Sequence, residues 1–368
     1  MSLVAEFRVA RPTRPLTDRW LRLPVQPRGA TMLGLSFRPL QAAALGLDPD
    51  ATLGRLLGYP YQLVRLAAYW NQIEPGPGTF APDALDRQLA AAERAGKQVI
   101  VCVGAVKSFG YPEFFVPAHH LPEPLPEGTV IRPQARRRLT DAATGFVARL
   151  VRRYADREAI VAWQVEHEAV DPLGVEHSWR LAEAFARAEI DAVRAADPAR
   201  PVLMNGFLPT SWPVRVQQRW RTRGQGDSLA VAQRNADIVG VDFYPRHALA
   251  RAGPLTLYLD GSDSARQRRR RVELSRWAKA SGRRLMIAEG QAEPWETVTT
   301  PPDPRRSGMY SCLPEHVIGN YNQCLGAAAG PPPGLWAYLF WGAEYWVLRD
   351  RGGDPSYLRA FERVLAES

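Results

Sequence analysis

From about residue 31 to the end of the chain, short apolar runs alternate with amphipathic stretches, the signature of repeated βα units and a parallel sheet. Eight runs read as strands: Thr31 to Phe37, Gln62 to Ala67, Gln98 to Val103, Ile160 to Val165, Pro201 to Asn205, Ile238 to Phe243, Arg284 to Ala288 and Leu335 to Phe340. The stretches between them carry a 3.6-residue period, most clearly over Asp83 to Ala95, Arg136 to Tyr154, Trp179 to Ala196 and Ala265 to Ala280. Gly96 and Gly282 stand where a helix must stop before the next strand begins.

Eight strands separated by helices predict an α/β fold, a (β/α)8 TIM barrel in a single domain, with residues 1–30 as an irregular, Pro- and Arg-rich extension and 31–368 as the barrel. A doubly wound open sheet would carry a glycine-rich phosphate turn after its first strand, and Gly34-Leu35-Ser36-Phe37 has none. No repeat or linker divides the chain, since Pro331-Pro332-Pro333 is too short to separate domains. Long connections follow the third strand (Gly104 to Arg132) and the seventh (Glu289 to Glu315), at the end where such barrels build their sites.

Composition narrows the function classes. With 46% hydrophobic and 23% charged residues, the chain can bury a large core. Its net charge of +9 is densest at Arg266, Arg268, Arg269, Arg270 and Arg271. No aromatic interleaving or nucleic-acid motif accompanies that run, so it reads as the solvated face of a helix rather than a nucleic-acid site. Cys102, Cys312 and Cys324 make an odd count without metal-ligand spacing; Cys102 belongs in a strand, and Cys312 and Cys324 are candidates to pair if the protein is exported. The first 30 residues contain no apolar run long enough for a secretion signal, and no later stretch spans a membrane. The expectation is a cytoplasmic protein, or a secreted one if a leader has been removed.

Two carboxylates stand out because each closes an apolar strand: Glu168 in Trp163-Gln-Val-Glu-His-Glu168 and Glu289 in Leu285-Met-Ile-Ala-Glu289. Paired carboxyls at a barrel mouth are the equipment of glycoside hydrolysis, one protonating the leaving oxygen and the other attacking the anomeric carbon. The bland alternative is a pair of structural ion-pair partners. Glu166 is the backup acid, because residues two apart in a strand share a face.

The stretch Val64-Arg65-Leu66-Ala67-Ala68-Tyr69-Trp70-Asn71-Gln72-Ile73-Glu74-Pro75-Gly76-Pro77-Gly78-Thr79-Phe80 resembles clan A of the glycoside hydrolases, and its Trp-x-x-Ile-Glu-Pro-x-x-Gly passage is most similar to the barrel-type β-galactosidases. The likeness to the β-galactosidase, cellulase and mannanase families continues through Ala236 to Pro245, the seventh strand and Leu339-Phe-Trp-Gly342. It implies a retaining glycosidase with Glu168 as acid/base, Glu289 as nucleophile, Arg65 and Tyr244 beside the nucleophile, and Trp341 as the floor of the sugar subsite. It also implies a separation of roughly 5 Å between the two carboxyls, and a reaction that needs no metal or organic cofactor.

Clan members place asparagine before the acid/base, where this chain has His167, a pattern similar to the mannanases; imidazole can still donate to a sugar hydroxyl. Trp70, Trp295, Tyr310, Tyr345 and Trp346 are rim candidates for stacking on sugar faces, with His119 and His120 for contacting hydroxyls. The long loops favour exo-action on a carbohydrate, with no nucleic-acid or membrane partner and no assignment of oligomeric state. A non-catalytic carbohydrate-binding barrel is the competing expectation. A metal-dependent hydrolase is disfavoured, because no His-x-His closes the first strand.

Overall fold

The computed structural model describes residues 7–172, 177–209, 216, 219–262, 264–296, 307–328 and 334–368. Pro331-Pro332-Pro333 and part of the connection after the seventh strand lie outside the described residues. The eight barrel strands are β1 (Met32–Ser36), β2 (Leu63–Ala67), β3 (Gln98–Cys102), β4 (Ile160–Gln164), β5 (Val202–Phe207), β6 (Ile238–Phe243), β7 (Arg284–Gln291) and β8 (Ala337–Trp341). They form a closed parallel barrel in sequence order, surrounded by helices: a (β/α)8 fold. Strands buried on both faces read as unbroken apolar runs, which is why each falls close to its expected position.

Two compact units make up the chain, one drawn from residues 1–62, 208–215 and 242–368, the other from 63–207 and 216–241. In the first unit β8 pairs with β1 in parallel register from Ala337↔Met32 to Trp341↔Ser36, and with β7 through Ile287↔Tyr338 and, after a register shift, Gly290↔Phe340. Gly290 is obligatory there, because a Cβ would stand 2.2 Å from the Tyr338 hydroxyl. The helix Ser356–Glu367 buries Tyr357, Leu358, Phe361 and Val364 on one face, and the Phe361 ring meets Phe340 and Trp346, each at 5.0 Å.

The opening residues are not irregular throughout. Phe7–Ala10 pairs antiparallel with Leu255–Asp260, Thr13–Pro15 pairs with Ser307–Met309, and Asp18–Arg22 forms a 3-10 helix. Arg363 donates to the carbonyls of Trp20 and Leu23, tying this segment to the last helix. The arginine run lies on the helix Ala265–Ser281, which ends at Gly282 with φ 66°, as expected. Its solvated reading fails at Arg271, which is buried over the Phe243 ring at 4.8 Å and donates to the Gln323 carbonyl. Cys102, Cys312 and Cys324 are all free and buried, so the conditional Cys312–Cys324 pairing is not formed.

In the second unit β2, β3, β4 and β5 run parallel, β4 pairing with β5 through Trp163↔Val202 and Gln164↔Leu203. The helices Asp83–Arg94, Arg137–Tyr154 and Glu183–Ala196 bury apolar stripes such as Leu139, Ala143, Phe146, Val147 and Leu150. The third begins later than the period predicted, because Arg180–Leu181 is extended and pairs with Val130–Ile131. Among the described residues no helix is long and apolar enough to cross a membrane.

Candidate active site

In the first unit, Glu289 stands near the carboxyl end of β7 with its side chain buried. Tyr244, directly after β6, donates its phenol to Glu289 Oε2 at 2.5 Å. Burial, the Glu289 charge and that of Asp242 push the Tyr244 hydroxyl well above its ordinary value, so it remains a donor across the working pH range. Trp341, the last residue of β8, is set edge-on to Tyr244 at 6.5 Å. Trp295 is half exposed, 5.4 Å from Tyr244 and 5.0 Å from His247, the one expected rim tryptophan that offers open ring surface.

Sequence reading missed the charged group beneath Trp341. The guanidinium of Arg38 lies 4.3 Å from that ring. It donates to both oxygens of Glu293, at 2.6 and 2.7 Å, and through Nε and Nη2 to Glu344 Oε2, at 3.1 and 2.7 Å, while its backbone N–H donates to Glu344 Oε1 at 2.6 Å. All three side chains are buried. The only sequence signal was a charged residue two positions past the first strand.

In the second unit, β4 ends at Gln164 and the backbone turns left-handed at Glu166 (φ 55°) and Glu168 (φ 45°). The period of two is broken there, so the two carboxylates diverge. Glu166, the expected backup acid, is buried and accepts the N–H groups of Val106 (2.9 Å) and Lys107 (2.6 Å). Gly104 makes room for this turn, since a Cβ there would stand 2.0 Å from the Glu166 nitrogen. Glu189, which accepts from Ala105 N–H, is the partner of Glu166. Burial and the Glu166 charge push Glu189 well up, so it carries the proton of the pair. Glu166 is therefore a structural acceptor, turned away from the position that an alternating strand face would give it.

The Glu168 side chain is 20% exposed, with Oε2 3.9 Å from the buried Lys107 ammonium. Lys107 also donates to the Pro172 carbonyl at 3.0 Å and lies 3.5 Å from Glu113. A polar relay runs alongside: Arg65 donates to Gln164 Oε1 (3.2 Å), and Gln164 Nε2 donates to Asn205 Oδ1 (3.0 Å). With Oδ1 so engaged, Asn205 Nδ2 is the donor to His167 Nδ1 at 2.8 Å, which places the imidazole proton on Nε2. Burial first, then the charges of Lys107 and Arg65, hold His167 well below its ordinary value, and the ring is neutral. Gln164 and Asn205 were passed over because each is one polar residue at the end of an apolar strand.

Several rim expectations move into the core. Trp70 is fully buried, stacked with His120 at 4.8 Å and Phe146 at 5.4 Å, and donates its indole N–H to Glu74 at 2.9 Å, so it presents no open face. Tyr345 and Trp346 are likewise buried. Tyr310 packs on Tyr258 at 4.5 Å and donates to Asp260 at 3.4 Å. His119 and His120 both donate to Glu74 Oε1.

A family model described as β-galactosidase, of glycoside hydrolase family 42, matches residues 59–189. No curated protein matches the chain. Among solved structures, GH5_18 from Streptomyces cattleya in complex with GlcNAc superposes with a TM-score of 0.56 at 16% identity, covering 92% of this chain and 81% of that one. Xylanase 10B from Thermotoga maritima gives 0.54 at 14% identity, covering 92% and 95%. An endo-1,4-β-xylanase from Caldicellulosiruptor owensensis gives 0.52 at 12% identity, covering 87% and 88%. The barrel thus resembles clan A glycosidases in fold, and the partial family match supports a carbohydrate-active role in general.

Proposed function

We propose that this chain is a retaining glycoside hydrolase, exo-acting, with Glu289 as nucleophile and Glu168 as acid/base. The observation that carries the reading is the buried Glu289 carboxylate, near the carboxyl end of a barrel strand, accepting the Tyr244 phenol at 2.5 Å. A carboxylate oriented by a neutral donor is poised to attack an anomeric carbon. In the first step the Glu289 oxygen bonds to that carbon while Glu168 gives its proton to the departing glycosidic oxygen. In the second, Glu168 takes a proton from water, which attacks the same carbon and releases Glu289. The Lys107 ammonium, 3.9 Å from Glu168 Oε2, would help to hold that carboxyl in place.

Arg65 would add positive charge beside the nucleophile, Trp341 would form the floor under the sugar ring, and Trp295 would stack on an outer face. His167, neutral with its proton on Nε2, is suited to donate to the 2-hydroxyl. Exo-action is favoured by the long connection after β3. The test is a 2-deoxy-2-fluoro glycoside with an activated leaving group, chosen from a panel that the protein hydrolyses. Mass spectrometry of peptides should find the label on Glu289, and Glu289→Gln should abolish turnover. Label elsewhere, or an undiminished rate in the variant, would overturn the assignment.

A second reading, a non-catalytic carbohydrate-binding barrel, draws on Lys107 beside Glu168 and on His167 in place of asparagine. It requires saturable glycan binding without release of reducing sugar.

A further inference from the structure

Outside the proposed catalytic groups, three side chains of metal-ligating type meet at one point within the second unit. The Nε2 atoms of His119 and His120 approach the same oxygen, Glu74 Oε1, at 2.9 and 2.7 Å, and all three ligand atoms lie within 4.8 Å of one another. Glu74 follows the short helix Trp70–Ile73 after β2, and the two histidines come from the long connection after β3. These segments are adjacent because β2 pairs with β3.

The surroundings orient the ligands. The other Glu74 oxygen, Oε2, is held by the Trp70 indole at 2.9 Å, which turns Oε1 toward the histidines. The His120 ring is stacked on Trp70, and its backbone N–H is fixed on the Pro117 carbonyl at 3.0 Å. Partners of this kind, which orient a ligand without touching the ion, are characteristic of built metal sites. Side-chain exposures of 22%, 24% and 19% for His119, His120 and Glu74 leave the cluster open to solvent, so water can complete a tetrahedron.

We propose that Glu74, His119 and His120 bind a divalent transition metal, zinc fitting best. Two imidazoles and a carboxylate suit zinc at about 2.0–2.2 Å from each ligand. That geometry sets ligand atoms roughly 3.3 Å apart, so the two separations from Glu74 Oε1 need open by only about half an ångström, and the two Nε2 atoms already lie within 4.8 Å of each other. The ion would take the Nε2 lone pairs, so each imidazole binds it as the neutral Nδ1–H tautomer, with its proton on the nitrogen that faces away from the ion. The ion would clip the connection after β2 to that after β3, with Trp70 locked beneath. The alternative is a plain double hydrogen bond onto Glu74, which has no use for a metal.

The test is calorimetric titration of the chelator-dialysed full chain with zinc chloride, together with the visible spectrum of the cobalt(II) form. One zinc per chain and intense tetrahedral cobalt bands are expected. Glu74→Gln, nearly isosteric and still able to accept from both histidines, should weaken zinc by more than about 100-fold, and Trp70→Phe by about 10–100-fold. His119→Asn should remove the cobalt bands while circular dichroism confirms an intact fold. No saturable binding to the wild type, or binding that Glu74→Gln and His119→Asn leave unchanged, overturns the proposal.

Discussion

Replacing Arg38 by methionine removes the cation bonded to both Glu293 and Glu344, two carboxylates that are 7% and 0% exposed. The backbone N–H of residue 38 would still donate to Glu344, but both contacts to Glu293 and both side-chain contacts to Glu344 would go. Breaking one side of a buried ion pair costs about 3–5 kcal/mol, because the stranded charge keeps its desolvation penalty. With about 2.1 cal/mol/K of unfolding entropy per residue over 368 residues, that is a fall in Tm of roughly 4–6 °C. Calorimetry at pH 8 measures it directly.

The pH dependence makes the test sharper. Burial already pushes Glu344 up, and Arg38 opposes the rise. Without Arg38 the native state would bind a proton at Glu344 that the unfolded chain has released, so the variant should lose stability as pH climbs above the ordinary carboxyl range. The gap to wild type should therefore narrow toward pH 5, by about 1.4 kcal/mol for each tenfold weakening of the acid. A Tm within about 1 °C of wild type at pH 8, or a gap that ignores pH, would show that the group is solvated and the reasoning mistaken.

Tyr244→Phe deletes the phenol donor to the Glu289 carboxylate, worth about 1.5–3 kcal/mol, and should lower kcat on an activated aryl glycoside by roughly 10- to 150-fold. An unaltered kcat would remove Tyr244 from the machinery. For Glu189, raised well above the ordinary 4.5, the folded state holds a proton the unfolded state has lost, so wild-type stability declines as pH rises past that value. Glu189→Gln cannot ionise; its urea midpoint should gain on wild type between pH 5 and 8, and a constant offset would contradict the shared-proton assignment. Gly104→Ala sets a methyl 2.0 Å from the Glu166 nitrogen and should cost about 3 kcal/mol or more in chemical denaturation, whereas Gly54→Ala, inside the helix Pro49–Leu57 with open space around it, should gain about 0.5–1 kcal/mol.

The barrel was legible because its strands are buried on both faces: Val99 to Cys102 and Ile160 to Trp163 are apolar without a break. Glu168 and Glu289 stood out as candidates because charge at the end of such a run is costly to bury without a partner. What stayed hidden depends on contacts across long separations. Nothing near Arg38 in sequence announces Glu293 or Glu344, which lie 255 and 306 residues away. Glu166 was misjudged for a local reason: the rule of alternate faces presumes extended backbone, and φ turns positive at Glu166 itself. Trp70 shows a different limit, since an indole near a barrel mouth has the same sequence signature whether it meets a sugar or, as here, His120 and Phe146.

The pairing of β1 with β8 bears on how the chain is made. Leu33 must wait for Tyr338, 305 residues later, before its ladder to β8 can form. At about 5–20 residues per second that is roughly 15–60 s. During that interval one edge of β1 stays open, whereas β2 to β5 find their neighbours as soon as each emerges.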